Sequence, residues 1–188
     1  MSFTFQTEQW VPYPAETVFA FLANPENLPA LMPEWQKVRM EQASIAPPSG
    51  SSNVSVAGVG SRIVISFRPV AGLPFRVRWE AEITDFVPNS HFTDRLIKGP
   101  FAAWTHTHRI RGVDRAGINI TVIIDQIDYQ AKGLLGRLAN SFFLRKQLKR
   151  TFAYRHARLA ELLALQLKPV IPIHQQPPQP AKSGKLTA

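Results

Sequence analysis

The sequence predicts an α+β fold: a curved antiparallel β-sheet wrapped around one long C-terminal α-helix, with two short helices after the first strand. Three observations predict it. Five stretches between residues 62 and 129 carry β-branched and aromatic residues and are separated by turn chemistry. From about Leu138 to Lys168 the apolar residues change to a helical period. Because the helical pattern follows the run of strands instead of alternating with them, the helix covers one face of an antiparallel sheet.

Residues 3–11 (FTFQTEQWV) alternate as a first strand. Residues 13–35 follow as two short helices. Pro14 suits a first helical turn, Val18, Phe19 and Leu22 form an apolar stripe, Asn24-Pro25 interrupts the pattern, and a second helix runs from about Glu26 to Pro33. Residues 36–43 suit a further strand. The uncharged segment APPSGSSNVSVAGVGS, 46–61, reads as a long loop or hairpin tip. Strands are then expected at 62–68, 75–87, 91–97, 102–112 and 117–129. In the final helix Leu144, Leu148, Phe152, Leu159, Leu162 and Leu163 share one stripe, and Pro169 stops it. One domain over 1–168 is therefore expected, followed by a disordered Pro- and Gln-rich tail at 169–188. A curved sheet closed over one helix leaves an interior that side chains fill only in part, which is a pocket by architecture.

Composition narrows the function. The 188 residues include 45% hydrophobic and 19% charged ones, the balance of an ordinary globular chain. With no cysteine there is no disulfide scaffold, thiolate metal site or cysteine nucleophile. The opening MSFTFQTEQW lacks a signal-peptide pattern, and no apolar stretch approaches the about 20 residues that span a bilayer. A soluble cytoplasmic protein is the expectation. The net charge of +9 is uneven: residues 1–98 carry 8 Lys and Arg against 9 Asp and Glu, residues 99–188 carry 14 against 4. Lys146, Lys149, Arg150 and Arg158 lie off the apolar stripe in the run 144–158, which has no acidic residue, and so offer a peripheral contact for anionic membrane. No motif for sequence-specific nucleic-acid binding is present.

The segment WTHTHRI, 104–110, carries the candidate chemistry. On a period of two, Trp104, His106, His108 and Ile110 share one face, and Thr105, Thr107 and Arg109 the other. The bulky face points inward and takes both histidines with it. Three roles compete for them. A metal site would need a third ligand from Asp94 or Asp125 on neighbouring strands. Neither an HExxH nor a facial-triad spacing occurs, so the sequence assigns no metal and no cofactor. Acid–base catalysis would use His106 or His108 oriented by Asp94 or Asp125, with no nucleophile in view, and would be limited to proton transfer such as cyclisation, dehydration or isomerisation. The third role is to anchor a ligand. Arg155 falls in the middle of the apolar stripe of the final helix, where a lone charge is costly. It is expected to meet Asp94 or Asp125, or an anionic ligand group, and its removal is expected to cost about 3–5 kcal/mol. Trp79, Phe101, Trp104 and Phe152 would form the apolar wall.

The element order, with PAETVFAFLANPENLPALMPEW (14–35), GPFAAWTHTHRI (99–110) and RTFAYRHARL (150–159), resembles the START/polyketide-cyclase superfamily, also called SRPBCC. The resemblance covers roughly residues 3–165 and implies the helix-grip fold. Its pattern is similar to a bacterial branch described as ligand-binding or cyclase/dehydrase-like. It implies binding of a hydrophobic small molecule (lipid, quinone or polyketide-like) between sheet and helix. The superfamily also contains cyclase-type enzymes and lipid or quinone carriers, and both stand as alternatives.

Overall fold

In a computed structural model, which describes residues 2–48, 55–72, 74–133 and 143–166, seven strands form one antiparallel sheet. The strands are β1 (Phe3–Val11), β2 (Arg39–Ser44), β3 (Arg62–Phe67), β4 (Val77–Val87), β5 (His91–Lys98), β6 (Phe101–Arg115) and β7 (Ile118–Ala131). Their order is β1-β7-β6-β5-β4-β3-β2, so every consecutive pair but the first is a neighbour. Helix α1 (Ala15–Leu22) and the four-residue α2 (Leu28–Leu31) carry the chain from β1 to the opposite edge. The long helix α3 spans Arg145–Gln166. Register shifts between Met40 and Gln42, Glu80 and Ala81, Ile83 and Asp85, and Phe101 and Ala103 bend the strands they interrupt.

The expected elements form, with local differences. The second short helix divides into a 3-10 turn at Pro25–Asn27, α2, and another 3-10 turn at Glu34–Gln36. Pro29 and Pro33 within these residues lack the N–H that a longer helix would use. Gln36 consequently belongs to a turn and not to β2. Strand β4 begins two residues later than expected, leaving Phe75 exposed. The expected start of the last helix before residue 143, its end at Lys168 and the tail at 169–188 lie outside the described residues.

The segment 46–61 does join two paired strands, since Ser44 lies opposite Arg62. Its end is more than a hairpin tip. Val56 and Ala57 are buried against Phe19 and Phe92, and the Ala57 N–H donates to the Ala23 carbonyl at 2.9 Å. Gly58 permits this return, because a Cβ there would stand 2.9 Å from the Pro48 nitrogen and 3.0 Å from the Ala46 carbonyl oxygen.

One turn sets the register that the candidate site depends on. Between β6 and β7 only Ala116 and Gly117 intervene, both left-handed at φ 55° and 80°, as a tight hairpin requires. Asp114 Oδ1 accepts the Gly117 N–H at 2.9 Å. From Arg115 opposite Ile118 the pairing runs without a shift to His108 opposite Asp125 and His106 opposite Ile127. A one-residue slip would turn all of these side chains to the other face.

Helix α3 packs on the sheet at two places. Leu148 and Phe152 join Phe5, Ile127 and Tyr129, while Leu159 and Leu163 join Val11, Val18, Phe21 and Ile123. Burying these four side chains contributes on the order of 1.5–3 kcal/mol each. Thr151 and Arg155 fall in this same stripe and face the space between the two clusters.

Candidate functional site: a polar cluster at the end of an apolar cavity

That space is a cavity of about 360 Å³. Ile63, Ile65, Ala81 and Ile83 line it on the sheet side, Leu22 and Leu31 close it from the crossover with Ala57 from the segment between β2 and β3, and Leu148, Thr151, Phe152 and Arg155 come from α3. The aromatic wall is built from Trp79, Phe101 and Trp104. Trp79 packs edge-on against Trp104 at 5.1 Å between ring centres, and Phe101 lies 4.8 Å from Trp104. All seven residues expected to touch a ligand, namely Trp79, Phe101, Trp104, His106, His108, Phe152 and Arg155, line this one cavity. Its size and mainly apolar lining fit a small-molecule site.

The polar end is made by three adjacent strands. Asp94 on β5 lies opposite His106 on β6, and His108 on β6 lies opposite Asp125 on β7. His106 and His108 are each 6% exposed, and so is Asp125. Their face is the inner one, as the alternation of WTHTHRI requires, while Arg109 is exposed. Trp104 differs from expectation: it is half-buried, because its ring forms cavity wall and not closed core. Asp125 stands behind the histidines and is absent from the cavity lining.

Asp125 Oδ1 serves both rings. His106 Nε2 donates to it at 2.9 Å, and His108 Nδ1 lies 2.6 Å away, though out of line for a hydrogen bond. On the other side His106 Nδ1 is 3.6 Å from Asp94 Oδ2, and His108 Nε2 is 4.0 Å from that same oxygen. The two imidazole centres stand 3.9 Å apart, with His108 stacked on Phe92 at 4.3 Å and His106 edge-on to Phe152 at 5.7 Å. Although the chain shows no metal-ligand spacing, Asp94, His106 and His108 bring one donor atom each within 4.8 Å of one another. Cross-strand pairing assembles this group, so spacing along the chain carries no sign of it.

The enclosure sets the protonation. Burial pushes the His108 imidazole down to about 4, reinforced by the neighbouring His106 and opposed by Asp125. Burial also raises the Asp94 carboxyl, against the pull of His106 and Arg155. For Asp125 burial acts upward, but the charge of His108 and the contacts of both imidazoles outweigh it and hold the carboxyl well below its usual value. Asp125 is therefore ionised and His108 neutral at neutral pH.

Arg155 departs from its expected pairing. Its guanidinium reaches the cavity, yet among the described residues no carboxylate lies within 4.0 Å of it. It stacks instead over the Phe152 ring, with the guanidinium carbon 4.8 Å from the ring centre. Asp125 is hydrogen-bonded to His106, and Asp94 faces the two imidazoles at 3.6 and 4.0 Å. Arg158 also departs from the free basic face. It pairs with Glu161 at 2.8 Å, one helical turn beyond the acid-free run, and points its Nε at the Ala30 carbonyl. Lys146, Lys149 and Arg150 are exposed as expected.

Sequence reasoning missed Gln36. It is 5% exposed, lines the cavity and donates from Nε2 to Thr151 Oγ1 at 3.5 Å, and its Oε1 has no partner among the described residues. A glutamine between a tryptophan and a lysine gives no sequence signal of burial. Only the turn at Glu34–Gln36 aims it inward.

The comparisons with known proteins agree with this architecture. Residues 11–157 match the family described as "Polyketide cyclase / dehydrase and lipid transport". Norcoclaurine synthase from Thalictrum flavum has a similar fold, with a TM-score of 0.58, 15% identity and 87% of each chain covered. A START superfamily protein from Mycobacterium smegmatis gives a TM-score of 0.58 at 12% identity, covering 87% of this chain and 99% of that one. For major latex-like protein 151 from Panax ginseng the TM-score is 0.59 at 8% identity, with 86% and 97% covered. A search of curated protein sequences finds no match. Among the described residues, no helix is long and apolar enough to cross a membrane.

Proposed function

Because this chain belongs to the polyketide cyclase/dehydrase and lipid transport family, and binding of a hydrophobic ligand follows from its cavity, we propose a specific mode of binding. An apolar ring or chain lies among Trp79, Phe101, Trp104, Ile65 and Ile83, and its polar head group points to Asp94, His106, His108 and Arg155. The observation that carries this reading is the separation of character within one cavity. Its walls are aromatic and aliphatic, and Asp94, His106 and His108 cluster on it with Arg155 in electrostatic reach. Gln36 adds an acceptor with no partner among the described residues. The guanidinium of Arg155, with no carboxylate within 4.0 Å among the described residues, favours an anionic head group over a neutral one.

The first test is native mass spectrometry of the full chain purified from its own host, where a retained ligand appears as added mass that denaturation releases. The second is titration with an anionic aromatic probe, anilinonaphthalene sulfonate, followed by Trp79 and Trp104 fluorescence. Saturable 1:1 quenching is expected. Ala81→Phe, which fills the cavity from β4, should weaken it at least about tenfold, a loss of about 1.4 kcal/mol. Absence of both added mass and saturable quenching overturns the reading.

His106 between two carboxylates favours a second reading, proton transfer to a bound cyclic substrate. Turnover that disappears in His106→Gln while probe affinity persists would establish it. The exposed Lys146, Lys149 and Arg150 support a further element of the proposal, peripheral contact with anionic membrane during ligand exchange. Sedimentation with phosphatidylserine vesicles, reversed by salt, measures that contact.

A further inference from the structure

We propose that Asp94, His106 and His108 bind a divalent first-row transition-metal ion at the polar end of the cavity. The ion occupies the place of the head-group contacts above and rests on the binding reading only for that location.

Four observations support the ion. The first is orientation. Both imidazoles turn one ring nitrogen to Asp125 and the other to Asp94: His106 through Nε2 and Nδ1, His108 through Nδ1 and Nε2. In a metal-binding His106 the ring proton belongs on Nε2, where it donates to Asp125 at 2.9 Å. His106 Nδ1 then presents a lone pair to Asp94 Oδ2 at 3.6 Å, an acceptor facing an acceptor. A cation between them turns this repulsion into attraction.

The second is the supporting carboxylate. A histidine bound to a metal commonly gives its distal N–H to a carboxylate or carbonyl, which fixes the ring and raises its basicity. Asp125 stands in that position for His106, lies 2.6 Å from His108 Nδ1 though out of line for a hydrogen bond, and stays out of the cavity.

Third, the donor set and its spacing are suitable. Metal–ligand bonds of about 2.0–2.2 Å place donor atoms about 3–3.5 Å apart. The distances of 3.6 and 4.0 Å to Asp94, with all three atoms inside 4.8 Å, come into range through small side-chain rotations. Two imidazole nitrogens and one carboxylate oxygen suit zinc, cobalt or ferrous iron, whereas magnesium and calcium take mostly oxygen. All three donors stand on sheet strands, not on loops.

The fourth is charge. Asp94 and Asp125 surround the histidines, and Arg155 lines the same cavity. With a dication bound, this group carries one net positive charge facing the apolar space. The ion's remaining positions open in that direction. The ligand class that completes them is an apolar molecule with an anionic oxygen donor, a carboxylate, phenolate or enolate.

The test uses the full chain stripped with a chelator and titrated with Zn²⁺ by calorimetry, and with Co²⁺ by visible absorption, without any apolar ligand. One equivalent is expected to bind, with cobalt bands of nitrogen–oxygen coordination. Asp94→Asn and His108→Gln should each weaken binding more than about 100-fold, and Asp125→Asn about 10- to 100-fold. His91→Gln, at the surface His91–Asp85 pair, should change nothing. Should the variants fail to fold, histidine nitrogen NMR of the wild type decides, since the resonances of two buried rings must move with the first equivalent of Zn²⁺. No stoichiometric binding, binding that survives Asp94→Asn, or shifts confined to exposed histidines would overturn the site and leave a proton shared among the four side chains. A protein that binds the fluorescent probe but no metal loses this inference alone. One that binds metal but no apolar probe loses only the ligand reading.

Discussion

The guanidinium of Arg155 lies over the ring of Phe152, three residues earlier on α3, with 4.8 Å between its central carbon and the ring centre. This arrangement keeps the charge beside an aromatic face on the wall of the cavity. A cation–π contact of this kind contributes about 1 kcal/mol. Arg155→Ala should therefore lower stability by about 1 kcal/mol and not by the 3–5 kcal/mol expected of a broken buried ion pair. The affinity for an anionic probe should fall about tenfold, while a neutral probe of equal size binds as before. Urea melts and paired titrations measure both. A loss of 3 kcal/mol or more would mean that Arg155 is held by a carboxylate in solution.

Asp125 should matter more to the fold than any other polar residue in the cluster. It accepts from His106 at 2.9 Å and lies 2.6 Å from His108, at 6% exposure. Asp125→Ala would leave the buried His106 N–H with no acceptor and remove the charge beside both imidazoles, and is expected to cost about 3–5 kcal/mol. Asp125→Asn keeps one acceptor oxygen and should cost roughly half of that. Denaturant unfolding of the two variants gives the comparison, and equal midpoints would contradict it.

Acidification should destabilise the protein before ordinary carboxylates titrate. His108 is held at about 4 against an ordinary value of 6.5. Between these values the unfolded chain binds the proton and the folded chain does not, so stability falls as pH drops from 6.5 toward 4. The loss from this residue reaches at most about 3 kcal/mol. Asp125, held low, adds a loss in the same direction at still lower pH, whereas the raised Asp94 acts oppositely, favouring the folded state as it takes up a proton. His106, Arg155 and the half-buried His156 complete the charged surroundings. Thermal melts at half-unit steps from pH 7 to 4 should show the decline. His108→Gln should flatten its upper part, and a parallel decline in that variant would assign the effect elsewhere.

Much of the fold and part of the site were legible in the chain. The alternation in WTHTHRI placed His106 and His108 inside, and the heptad-like run from Leu148 to Leu163 placed Arg155 among the inner residues of the last helix. Both are local periodicities, set by the geometry of a strand and a helix alone. The break at Asn24-Pro25 was legible in the same way, whereas the further division of the second helix around Pro29 and Pro33 was not.

Partnerships between distant residues were decided only by the tertiary structure. The choice of Asp125 as support for both imidazoles, and of Asp94 as the carboxylate before them, depends on register across β5, β6 and β7. That register follows from the Ala116-Gly117 turn and from which face the sheet buries, and neither leaves a fixed spacing along the chain. The same holds for Gln36 and Thr151, 115 residues apart, and for Arg155, which stacks on Phe152 and meets neither of the carboxylates expected for it. A sequence states which way a side chain points within its own element. What stands opposite it depends on how the elements pack, because every buried polar group must share a small set of partners.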